Sequence, residues 1–161
     1  MMSAWWLCLL LAFQSATVAH EIPQQLRGEW TVTHLIPTRT ISCWGQREAK
    51  HLLGSTVHYA TDSFWWKKHK VMHAAVDTEN VTAFQFRVNY SGGGAADSEI
   101  DFNQLGIRAT SATIVKIRHE AANITGGTTE IPGDWVLLKD KNTIVLSVCN
   151  LYFEAHRSRD H

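Results

Sequence analysis

The sequence predicts an all-β fold, an antiparallel barrel or sandwich of about eight short strands with one short helix. Apolar and polar residues alternate over several short segments, as on a sheet with one buried face. Clusters of Gly, Pro, Asn and Asp separate those segments at fairly regular intervals. Only one internal stretch is rich in helix formers and free of β-branched residues.

The chain of 161 residues opens with a segment unlike the rest. Trp5 to Phe13 is an unbroken apolar run, and no charged side chain precedes Glu21. Thr17 and Ala19 stand where a signal peptidase reads small residues, so residues 1–19 read as a secretory leader. The run is far short of the roughly 20 residues that cross a bilayer as a helix. Residues 20–161 then form one domain, with no membrane span once the leader is removed.

Within that domain, Trp30 to Ile36 alternates, with Trp30, Val32, His34 and Ile36 expected on one side and Pro37 ending the strand. Gln46 to Leu53 is the predicted helix, with Gly54 as its C-terminal stop. Ser55 to Ala60 returns to strand, placing Val57 and Tyr59 together. Phe84 to Tyr90 is the most regular alternation in the chain and predicts a strand, after which Gly92 to Gly94 make a loop. Thr113 to His119 alternates again. Trp135–Leu138 and Thr143–Val148 flank Lys139 to Asn142 as a hairpin. Beyond them the apolar phase slips at Cys149-Asn150, which predicts a bulge.

Charge narrows the partners. Fifteen basic residues balance fifteen acidic ones, so no net positive field would attract nucleic acid or anionic lipid. With Cys8 in the leader, the domain keeps Cys43 and Cys149, and two thiols in an oxidising compartment most often pair. The rival use, as reactive or metal-binding thiols, lacks a C-x-x-C or a patterned histidine beside either.

Gly28-Glu29-Trp30 opens the first strand and Arg157 follows the last, a pairing that resembles the lipocalins and the wider calycin superfamily. Leu53-Gly54, Asp62-Ser63-Phe64, Leu105-Gly106-Ile107 and Tyr152-Phe153-Glu154 are similar to segments of small exported lipocalin-like proteins of bacteria. The resemblance implies an up-and-down β-barrel of about eight strands, with Arg157 packed across the Trp30 ring to close the base. It also implies a small apolar or amphipathic ligand held inside. The expected lining is Trp30, Val57, Tyr59, Phe84, Phe86, Val88 and Val115.

Other chemistry is thinly signalled. His69 and His73, four apart, are weak metal candidates that His58 or His119 would have to complete. A haem held by a single histidine is the other cofactor reading, and no motif names that residue. There is no G-x-S-x-G, and Gly92 to Gly94 lack the Lys-Ser/Thr of a phosphate loop. Glu99 and Asp101 sit in a polar segment that reads as a solvated loop. Sequons occur at Asn80, Asn89 and Asn123. The Phe64 to Lys70 cluster reads either as core aromatics beside a charged strand edge or as a pocket mouth. The expected function is an exported, non-enzymatic barrel binding a small ligand. The alternatives are an interaction protein, such as an enzyme inhibitor that docks on an extracytoplasmic protein, or a haem- or metal-binding barrel.

Overall fold

The structure is a computed structural model that describes residues 21–38, 42–72, 75–90, 100–119 and 131–158. The expected leader, His73, Gly92 to Gly94, Glu99 and Asn123 lie outside the described residues. The elements run β1 (Gly28–Ile36), α1 (Gln46–Leu52), β2 (Thr56–Tyr59), β3 (Phe64–Trp66), β4 (His69–Val71) and β5 (Ala75–Thr82). They continue with α2 (Ala83–Tyr90), β6 (Ser111–Arg118), β7 (Trp135–Leu138), β8 (Thr143–Val148) and β9 (Leu151–Arg157). Among the described residues no helix is long and apolar enough to cross a membrane.

All nine strands join one antiparallel sheet in the order β4-β3-β2-β1-β9-β8-β7-β6-β5. The sheet curls strongly into a half-barrel. Two meanders, β1 to β4 and β5 to β9, are sewn together by the first and last strands, with Trp30 opposite Arg157 and Ile36 opposite Tyr152. The concave core draws on every strand, including Trp30, Val57, Phe64, Val71, Val76, Val115, Val136, Leu146 and Phe153. A second core covers only part of the convex face, where Val81, Ile114, Leu137, Val145 and Tyr152 meet Phe86 of α2 and Phe102. Burying side chains on both faces of β6 to β8 contributes about 1.5–3 kcal/mol for each large aliphatic or aromatic residue.

Helix α1 ends as expected, because Gly54 takes φ +77° and its N–H donates to the Val32 carbonyl at 2.7 Å. The segment Phe84 to Tyr90 departs from the expected strand: it is the helix α2. Its start carries a capping box, with Gln85 N–H donating to Thr82 Oγ1 (3.2 Å) and Thr82 N–H to Gln85 Oε1 (2.8 Å). The period-two pattern also places Phe86 and Tyr90 four apart, so a helix presents both to the sheet. The strand before it, β5, carries only Val76 and Val81 as buried side chains, one in each core, and escapes an alternation search.

Two further phases differ from expectation. A bulge between Val32 and His34 turns β1 over, so Ile36 joins the convex core while Leu35 packs against the concave one. At Cys149-Asn150 there is no bulge. Both residues take positive φ (51° and 61°) in a tight turn between the paired Val148 and Leu151, and the phase changes because a new strand begins. Cys149 is bonded there to Cys43, with Cα atoms 5.2 Å apart.

Candidate functional site: the concave face

The residues that carried the resemblance, Trp30 and Arg157, meet across the β1–β9 pairing. The Arg157 guanidinium carbon lies 4.2 Å from the centre of the Trp30 ring. Its Nη1 donates to the Arg27 carbonyl (2.7 Å), its Nη2 to Gln25 (2.6 Å) and its Nε to Lys141 (3.3 Å). Trp30 Nε1 donates to the carbonyl of Leu26, a fully buried residue. Gly28 takes φ +115°, and any Cβ there would stand 2.9 Å from Arg157 Nη1, which accounts for the glycine two residues before the tryptophan.

Of the expected lining, Trp30, Val57, Tyr59 and Val115 do face the concave core, each no more than 1% exposed. Phe86 is buried on the opposite face of the sheet. Phe84 and Val88, 67% and 63% exposed, line nothing inside, because a helix turns them outward where a strand would not. The concave face is also filled by the chain entering β7. Ile131, Pro132 and Gly133 are buried, and Tyr59 Oη donates to the Gly133 carbonyl at 2.9 Å. Gly133 takes φ +105°, and a Cβ there would meet Tyr59 Oη at 2.5 Å and Val57 Cγ1 at 2.8 Å.

Beside this arm lies a polar group within apolar surroundings. The His119 side chain, 9% exposed, meets Asp134 through Nε2 at 3.1 Å. Its ring centre is 6.5 Å from that of Phe64. Among the described residues, His119 Nδ1 has no hydrogen-bond partner and is closed to solvent. Burial pushes the Tyr59 hydroxyl well above the usual phenol range, and the Asp134 carboxylate adds to that shift. The imidazole at the end of the β6 alternation was visible in the sequence; Asp134 and the Gly133 approach were not, since Pro132-Gly133 reads only as a turn.

Further along the concave core, coverage thins. Trp44, Trp66, Leu35 and Leu151 pack against it only partly buried. Trp66 Nε1 donates to Ser55 Oγ (2.8 Å) while His69 stacks on its ring at 5.8 Å. His58 sits on the other side of these strands, stacked on Trp65 at 3.8 Å and 3.3 Å from Glu29 Oε1. The sheet thus separates His58 from His69, and among the described residues no three His, Cys, Asp or Glu side chains gather into a metal-holding group. In the Phe64 to Lys70 hairpin, the Lys67 and Lys70 ammonium groups lie 4.6 and 5.2 Å from the Trp66 and Trp65 ring centres. Asn80 and Asn89 are exposed, on β5 and α2.

Among the described residues, three grooves of about 520, 380 and 430 Å³ open on the surface. None of the three is lined by Val57, Tyr59, Phe64 or His119. Comparison with protein-family models, curated proteins and solved structures returns no match.

Proposed function

We propose that this chain is an exported, non-enzymatic binding protein of lipocalin-like type, which takes a small amphipathic ligand on the concave face of its half-barrel. The observation that carries the reading is the asymmetry of that face. Arg157, Trp30 and Leu26 seal one part, whereas Trp44, Trp66, Leu35 and Leu151 leave apolar surface partly uncovered elsewhere. On this reading the ligand would lie beside Trp66 and Trp44, on the partly covered part of the face, and not in a deep preformed cavity, since the core around Trp30, Val57 and Phe64 is packed. The Cys43–Cys149 disulfide suits an oxidising compartment. A lipophilic fluorescent dye bound to the purified protein and displaced by medium-chain amphiphiles would support the proposal. Absence of dye binding, with Trp66→Ala indistinguishable from the parent, would reject it.

A second reading, the interaction protein, is favoured by one observation: Phe84 and Val88 are exposed four residues apart on α2. A stoichiometric extracytoplasmic partner lost on Phe84→Glu would select this reading over the first.

A further inference from the structure

We propose that the largest of the three grooves, which runs from Gln25 and Arg157 to strands β5, β6 and β7, binds a small acidic sugar: a ligand with one carboxylate and several hydroxyls. Neither Trp66 nor Trp44 lines this groove, so the site is separate from the apolar surface proposed above and does not depend on what that surface holds. The groove is open to solvent, and its volume of about 520 Å³ lies in the range of small-molecule sites.

The strand register gives its polar side. Asn80 pairs with Thr113 and Thr113 with Leu138, so the three side chains stand in a row on one face of the sheet. Leu138 packs against the concave core, which makes that face the concave one, and Ser111, two residues from Thr113, shares it. Further along the same strands this face is apolar, at Val76, Val115 and Ile117. At the groove it presents an amide and two hydroxyls instead. Asn80 is exposed, Ser111 and Thr113 are half-buried, and their side chains take no hydrogen bond among the described residues. Amides and hydroxyls both donate and accept, as pairing with sugar hydroxyls requires.

The charge comes from Arg157 and Lys141. A guanidinium has five N–H donors, and Arg157 gives three of them to the carbonyls of Gln25, Arg27 and Lys141, so Nη1 and Nη2 each keep one. The exposed Lys141 ammonium makes no ion pair among the described residues. Lys139 and Asp140 also line the groove but are engaged elsewhere. Lys139 Nζ donates to Glu154 at 2.7 Å, and Asp140 Oδ1 accepts the Asn142 N–H at 2.8 Å within its own turn. Two cations with spare donors thus face one acid already in use, a balance that favours an anion. Among the described lining residues Leu138 is the one large apolar side chain, which disfavours a lipid tail.

Isothermal titration calorimetry of the purified, oxidised protein with D-glucuronate, D-glucose and acetate separates the two contributions. D-glucuronate should bind about tenfold more tightly than either of the others, because D-glucose lacks the charge and acetate the hydroxyls. Lys141→Gln should cut the preference for D-glucuronate over D-glucose by about threefold, the effect of one exposed charge pair, whereas Thr113→Val should weaken both sugars alike. The melting temperature of each variant tells a lost contact from a lost fold, and Lys141→Gln should match the parent. Acetate binding as tightly as D-glucuronate would leave a site for charge alone. Equal affinity for the two sugars would leave the cations without a role. Either result overturns the proposal, as does a full preference in Lys141→Gln or no binding of D-glucuronate at millimolar concentration.

Discussion

Replacing Arg157 probes how the seam between β1 and β9 is held. In Arg157→Ala three backbone carbonyls, those of Gln25, Arg27 and Lys141, lose a charged donor, and the Trp30 ring loses its guanidinium cover. Water reaches this edge, so each lost bond is discounted to about 0.5–1 kcal/mol. The cation–π contact adds about 0.5–1 kcal/mol, and stripping the side-chain stem from the indole adds a similar amount. The total is a loss of about 2.5–5 kcal/mol. Urea unfolding followed by far-ultraviolet circular dichroism measures it, with Arg157→Met separating stem packing from charge. Arg157→Lys should recover less than half, because one ammonium cannot reach three carbonyls lying in the fan of a guanidinium. A loss below about 0.5 kcal/mol for the alanine variant, or a lysine variant as stable as the parent, would refute this role of Arg157 at the seam.

Gly133→Ala forces a methyl group against Tyr59 and Val57 on a left-handed backbone, and should cost about 2–5 kcal/mol in the same unfolding assay. Thr82→Val removes one arm of the capping box and should lower stability by about 1 kcal/mol; no change would argue that α2 is not held by its cap. Glu154 supplies a pH dependence. Burial works against its charge, but the bond from Lys139 at 2.7 Å and the nearby His156 outweigh it and hold the carboxyl below the usual glutamate range. A depressed folded-state pKa means stability that is present above the unfolded value and lost as pH falls through the folded one. Melting temperature should therefore fall less steeply between about pH 5 and 3 in Glu154→Gln than in the parent.

Most of the sheet was legible because its strands bury one face against a common core. Val57 and Tyr59, and Val115 and Ile117, announce themselves by alternation, and the β7–β8 hairpin by the polar Lys139 to Asn142 turn between two apolar runs. The failures have particular causes. Phe84 to Tyr90 alternates perfectly, yet Thr82 and Gln85 cap a helix there, and local hydrogen bonding outweighed the pattern. Strand β5 hid because Val76 and Val81 face opposite cores five residues apart, leaving no run of one parity. Ile36 changed sides through a bulge at the centre of β1, which the sequence marks with nothing stronger than threonine and histidine. The pair Trp30 and Arg157 was legible only through the resemblance, and the two meet because β1 and β9 are neighbours in the sheet. The His119–Asp134 pair was not, since its members lie 15 residues apart across a connection whose path no periodicity reveals.

The strand order has a consequence for how the molecule comes into being. Seven strands can pair with their predecessors as the chain emerges, but the second partner of β1 is β9, the ninth strand described. Cys43 likewise waits across 106 positions for Cys149, so oxidation is a late event that records successful assembly. Such long-range pairing is slow, and it leaves the β1 edge exposed during synthesis. Loss of even the final ten residues would remove the middle of the sheet, not its margin.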